Sequence, residues 1–232
     1  VDRRAELEQN LAAVERRIAA ACDDAGRVRA DVHLVVVTKT YPASDVDLLT
    51  GLGVTDVGEN RHPEARDKRE QVAGDLRWHF VGGLQSNKAA AVARYADVVQ
   101  SVDRVKLVGA LSRGAAESGR EVTCLVQVDL DDPASHDGRS GATPADVPAV
   151  ADAIAAADGL VLGGVMAVAP LGADPAPAFD RLAEVAERLR TDHPGATTIS
   201  AGMSGDLEAA VHAGATHLRV GRSVLGERGT TH

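Results

Sequence analysis

The stretch "HLVVVTKTYP" runs apolar residues into a single lysine, Lys39. A primary amine fixed at the end of a buried strand is the group that condenses with a carbonyl carbon to form a Schiff base. Two later stretches, "SAGMSGDLEAA" and "RVGRSVLG", have residue types suited to a phosphate. In the first, Gly202 permits a tight turn and Ser204 reads as the N-cap of a helix that begins at once. In the second, Gly221 lets the backbone approach a ligand, and Arg222 and Ser223 open another short helix. Free N–H groups at such turns favour an anion. Taken alone, Lys39 could equally end a strand in solvent, or pair with Glu59 or an aspartate nearby.

The elements that must position these groups alternate. Leu7, Leu11, Val14 and Ile18 recur at steps of four, three and four, which predicts an opening helix. After it, strand-type runs occur at "VHLVVVT", "VTDVG", "RWHF", "DVVQS", "VTCLVQV", "GLVLGGVM", "TTIS" and "THLRV". Helical runs lie between most of them, including 144–157, 175–190 and 204–213, the first with Thr143 as N-cap and Pro144 at its first position. Strand and helix in alternation require a parallel sheet. Eight strands can close it into a (β/α)8 barrel. An open doubly wound sheet lacks support, because no GxGxxG follows the first strand.

In such barrels the active site lies at the C-terminal strand ends, with phosphate held after strands seven and eight, where the two glycine turns fall. Alternation along "THLRVG" sends Arg219 to the interior if Leu218 and Val220 face the helices. The same parity puts His33, Val35, Val37 and Lys39 on one face. A lysine partly desolvated near Arg219 would have its ammonium form disfavoured, which leaves the amine free to react.

Composition bounds the rest. The 232 residues include 25 Lys+Arg against 34 Asp+Glu, a net charge of -9, which argues against nucleic-acid or anionic-membrane binding. One domain spanning 1–232 is expected, with a core of Ala, Val, Leu and Ile since aromatics are only 2%. Cys22 and Cys124 have no metal-type spacing, and no His cluster has one either, so reduced thiols, a cytoplasmic location and no metal are expected. The polar loop from Asp129 to Ala142 reads as solvated, with a lid over the strand ends as the alternative.

Nearly the whole chain resembles the pyridoxal 5′-phosphate (PLP) homeostasis protein family. The resemblance rests on "VVVTKTYP", "GENRHPEARDK", "RWHFVGGLQSNK", "QSVDR", "GVMAVAP", "SAGMSGDLEAAVHAGATHLRVG" and "VLGER". It implies a lone fold-type III barrel similar to the N-terminal domain of alanine racemase, with an extra N-terminal helix. It further implies that Lys39 holds PLP covalently, that the phosphate sits on the Ser204 and Gly221 turns, that Arg219 faces the pyridine nitrogen, and that Asn60 and Met166 line the pocket. Arg222 stands where the family often has threonine; Ser223 or the guanidinium could replace that contact. In "WHFVGGLQSNK", Trp78 and Phe80 read as core, His79 faces the other way, and Gln85, Ser86 and Asn87 read as caps for the next helix, with Asn87 or Lys88 near the pocket as a lesser reading.

An arginine cannot protonate the ring nitrogen, so the ring stays a weak electron sink. With Tyr41 and Tyr95 the only tyrosines and few residues after strand eight, an opposing acid/base group is hard to find. The expected function is a PLP carrier and buffer that passes the cofactor to apo-enzymes, as a monomer and without robust turnover. The competitors are a small PLP-dependent racemase or lyase and a cofactor-free Schiff-base aldolase.

Overall fold

A computed structural model describes residues 2–131 and 141–226. Its helices and strands are α1 (Arg3–Asp24), β1 (His33–Val37), α2 (Ala43–Thr50), β2 (Asp56–Glu59), α3 (Glu64–Gln71), β3 (Arg77–Phe80), α4 (Ala89–Ala93), β4 (Val98–Val102) and α5 (Val108–Ser118). They continue with β5 (Val122–Gln127), α6 (Val147–Ala155), β6 (Leu160–Met166), α7 (Ala176–Asp192), β7 (Thr198–Ser200), α8 (Leu207–His212), β8 (His217–Val220) and α9 (Arg222–Leu225).

All eight strands pair in parallel and in chain order, and β8 closes on β1 with Val35 opposite Arg219. The closure follows from the sequence pattern. Each strand is too short and too apolar to stand alone, and each following helix supplies the return path. The outward strand residues, such as Val36, Val57, Trp78 and Leu218, join the helices in one apolar shell. Among the described residues a second, small apolar cluster of Val98, Leu125 and Met166 stands apart from that shell. Several inward positions carry polar side chains, and these prepare the site.

Helix α1 lies outside the β/α alternation and packs on α8 and α9, beside the seam where β8 meets β1. Asp2 caps it by accepting from the Arg4 N–H at 3.2 Å, and Leu7, Val14 and Ile18 bury its apolar face. Arg3 then ties α1 to α2 and α9, donating from Nη2 to Asp45 Oδ2 (2.6 Å) and to the carbonyl of Leu225 (3.0 Å).

The predicted helix from 144 begins instead at Val147. Thr143 makes no cap; its hydroxyl donates to Asp146 Oδ2 at 2.7 Å, and both backbone N–H groups of Asp146 and Val147 return to the Thr143 carbonyl. Residues 144–146 therefore form a turn, and Pro148 is the proline that opens the helix. Likewise Gln85, Ser86 and Asn87 do not cap α4, which has no side-chain cap at all. Most of the Asp129 to Ala142 loop lies outside the described residues; at its ends, Val128 and Ala142 form a parallel bridge.

Candidate functional site

At the C-terminal mouth of the barrel is a cavity of about 980 Å³. Its wall draws on the first and last strands: Lys39 and Tyr41 follow β1, Asn60 follows β2, Arg219 lies on β8, and Gly221 and Arg222 follow it. Met166 and Ser204 complete the predicted set that lines it, whereas Ser223, half-buried in the first turn of α9, does not.

Lys39 sits one residue beyond a pinned position. The buried Thr38 hydroxyl donates to Glu59 Oε1 at 2.7 Å, and Lys68 Nζ, reaching in from α3, donates both to Glu59 Oε1 (2.5 Å) and to the Thr38 carbonyl (2.8 Å). Glu59 is thus paired with Lys68 and not with Lys39, because alternation along β2 turns it outward toward α3. The expected desolvation of Lys39 is not found: the residue is exposed at the mouth. Its neighbour Thr40 takes φ 71°, and the Thr40 N–H donates to Glu64 Oε1 at 3.2 Å.

Arg219 points into the barrel as alternation requires, and only 4% of it is exposed. Its Nη1 donates to Ser200 Oγ (2.7 Å) and its Nη2 to the Ala167 carbonyl (2.7 Å). Burial pushes its pKa down to about 10 against the opposing pull of Asp206, so it stays a cation and a donor at neutral pH.

The Ser204 turn differs from its prediction. Helix α8 starts at Leu207, because Asp206 Oδ1 accepts from the Met203 N–H at 2.6 Å and holds residues 204–206 in a turn. Ser204 is therefore not an N-cap; its carbonyl accepts from Arg17 Nη1 at 3.1 Å. Gly202 at φ +86° is required there, since a Cβ would come within 2.6 Å of Ala210 Cβ. At the other turn, a Cβ on Gly221 would lie 3.1 Å from the Val37 carbonyl, so the β8 backbone lies close against the end of β1. The N–H groups of Arg222 and Ser223, in the first turn of α9, have no acceptor within their helix.

Among the cavity residues that escaped the sequence reading as contributors, Asp206 and Tyr41 carry ionisable groups. Asp206 brings a carboxylate to the rim, and Tyr41 lines the wall while its hydroxyl donates to the Gly226 carbonyl at 2.7 Å. A polar residue inside a predicted turn could have flagged Asp206; nothing local singles out Tyr41. Tyr95 is buried, stacked on His62 at 5.8 Å, and away from the cavity wall; burial raises its pKa well above the usual phenol range. Asn87 and Lys88 also fall outside the wall. Asn60 is the wall residue with a free group: its Oδ1 is buried with no protein partner. Among the described residues no group of three or more His, Cys, Asp and Glu could hold a metal, and no helix is long and apolar enough to cross a membrane.

An eight-stranded parallel barrel with a lysine and an arginine on one cavity at its C-terminal face defines a class that comparison makes specific. Residues 9–229 match the family model described as alanine racemase, N-terminal domain. The pyridoxal phosphate homeostasis protein of Mycobacterium tuberculosis is 40% identical over 244 residues, covering 98% of this chain and 95% of its own. The structure of PipY from Synechococcus elongatus with PLP bound superposes with a TM-score of 0.82 at 31% identity, over 95% of this chain and 100% of that one. An alanine racemase of Clostridium difficile shares the fold alone, with a TM-score of 0.70 at 13% identity over 94% of this chain and 57% of its own. The chain belongs to the pyridoxal phosphate homeostasis protein family.

Proposed function

We propose that this chain binds PLP as a Schiff base on Lys39 and serves as a carrier and buffer of the cofactor, without robust turnover of amino acids. One observation carries the reading: Lys39, an exposed amine, and Arg219, a buried and fully oriented cation, line the same cavity. The residues fit the group. A cavity of this volume accommodates a small cofactor, the Arg222 amide on its wall suits a phosphate, and the partnerless Asn60 Oδ1 awaits a donor such as a ring hydroxyl. When bound, PLP supplies an aldehyde and an electron-withdrawing ring. Lys39 would hold the group through that aldehyde carbon, its amine taking the place of the carbonyl oxygen, which would leave as water.

Arg219 limits the chemistry open to this site. Because it donates and keeps its proton, it would leave a ring nitrogen set against it an acceptor, and such a ring would be a weak sink for carbanion charge. Racemisation on such a ring needs two acid/base groups flanking the substrate carbon. Tyr41 is committed to Gly226 and Tyr95 is buried away from the cavity, so no described tyrosine brings a free phenol to it. We place the protein in the cytoplasm as a single-domain monomer, with apo PLP-dependent enzymes as the recipients, since a group held by the exposed Lys39 amine could be handed on to another amine.

Borohydride reduction of the PLP-loaded protein followed by peptide mapping tests the site, and the expected tag is on Lys39. Incubating the loaded protein with alanine, serine and threonine enantiomers in deuterated water tests the role. The expected α-proton exchange is no faster than with free PLP. A tag on another lysine overturns the site, and rapid exchange lost in Lys39→Ala overturns the carrier in favour of an enzyme.

A further inference from the structure

Barrels of this type usually fill their interior with branched aliphatic side chains. Here a continuous file of polar side chains runs through it. Arg219 Nη1 donates to Ser200 Oγ (2.7 Å), and the Ser200 hydroxyl donates to Gln100 Oε1 (2.6 Å). Gln100 Nε2 lies 2.8 Å from His79 Nδ1, and His79 Nε2 lies 2.8 Å from Asp56 Oδ1. Thr55 Oγ1 closes the file by donating to Asp56 Oδ2 at 2.7 Å.

The direction of every bond is set by the two ends. A guanidinium only donates and a carboxylate only accepts. Ser200 therefore accepts from Arg219 and spends its one hydrogen on Gln100. That interaction fixes the Gln100 amide with its nitrogen toward His79, so Nδ1 is bare and the imidazole proton sits on Nε2, facing Asp56. No member can reverse without breaking two bonds. Ser200 and Gln100 are fully buried and His79 is 2% exposed, so water does not substitute for a lost partner. Asp56 opens β2 at the N-terminal end of the barrel, whereas Arg219 lines the cavity at the other end.

A file of this kind gives the barrel no more stability than aliphatic packing would, because buried polar groups at best recover their desolvation cost. It gives orientation. We propose that Asp56, His79, Gln100 and Ser200 are positioning residues that hold the Arg219 guanidinium in one pose, as a donor toward the ring nitrogen of the cofactor. This inference rests on the PLP reading above.

The first test uses the cofactor-free protein labelled with ¹⁵N-histidine. Two-bond ¹H–¹⁵N spectra at neutral pH are expected to show His79 neutral, with its proton on Nε2 and an accepting Nδ1. A proton on Nδ1, or an imidazolium, overturns the file. The second test uses PLP-loaded variants. Gln100→Met, outside the cavity wall, and Ser200→Ala are each expected to weaken PLP binding about tenfold, the equivalent of one hydrogen bond to a charged group. Each is also expected to move the visible absorption band of the bound cofactor, and Ser200→Thr, which keeps the hydroxyl, to restore both. Asp56→Asn keeps the shape at the partly exposed end and is expected to shift the band in the same direction by less; it carries the test if Gln100→Met does not fold. Variants with wild-type band and affinity, still tagged at Lys39, overturn the positioning role and leave the carrier reading standing. Failure of the wild type to take PLP on Lys39 overturns the carrier reading and the positioning role that depends on it, while the histidine spectrum still judges the file itself.

Discussion

Replacing Lys68 by methionine removes one charge of the ion pair beneath Lys39. The side chains of Lys68 and Glu59 are 7% and 2% exposed, and Nζ lies 2.5 Å from Oε1. Without Lys68, Glu59 keeps a single donor, the Thr38 hydroxyl, and its Oε2 already lacks any partner. Stranding a buried charge in this way costs about 3–5 kcal/mol. For a chain of this length each kcal/mol corresponds to about 2–4 °C in melting temperature, so Lys68→Met should melt about 6–20 °C lower. Urea titration followed by fluorescence of Trp78, the one tryptophan and a buried one, reads the loss directly. The double variant Lys68→Met/Glu59→Gln should recover most of it, with a coupling energy of about 2 kcal/mol or more. Lys68→Met within about 1 kcal/mol of the wild type would refute the reasoning, since pairs of that worth are solvated surface pairs. Because Lys68 also holds the Thr38 carbonyl, the same variant should slow the condensation proposed for Lys39, measured by stopped-flow absorbance.

Acid should destabilise the fold through its buried histidines. Burial lowers the pKa of His79 despite the opposing pull of Asp56, and burial with neighbouring histidines pushes His217 down to about 3. Both are neutral when folded but take up a proton below about pH 6.5 when unfolded, so stability is full above that value and falls as the pH drops toward the folded pKa. Urea melts between pH 6.5 and 5 should show up to about 1.4 kcal/mol per pH unit for each, and His217→Asn should flatten that slope. Gly82→Ala would set a Cβ 2.1 Å from the Asn60 carbonyl; it should cost about 1–3 kcal/mol in urea melts and weaken PLP binding in titrations. Ile18→Ala, which empties a fully buried position on α1, should cost about 2–5 kcal/mol by the same melts while leaving the Lys39 tag in place.

Much of the fold was legible because two periodicities carry it. The 3.6-residue stripe from Leu7 to Ile18 placed α1, and the two-residue pleat through "THLRV" sent Arg219 inward and Leu218 outward, where both are found. Helix starts were less legible. At Thr143 and Ser204 the hydroxyl residues looked like caps, yet Asp146 and Asp206, each within three residues, form turns that delay the helix. The exposure of Lys39 depends on how the loop after β1 leaves the barrel, which Thr40 decides by its left-handed backbone and which no pattern announced. The interior file was hidden for another reason: Ser200 and Gln100 lie 100 positions apart, so their contact exists only once the barrel is closed.

Lys39 follows the first strand, while Arg219 and Gly221 lie on and just after the last, and β8 must dock on β1 before they share a space. A ribosome-bound chain that has not yet delivered its final strand carries the amine but no cradle around it. Competence to hold a ligand therefore arrives in one event, at ring closure, which makes occupancy of the mouth a report on a closed barrel.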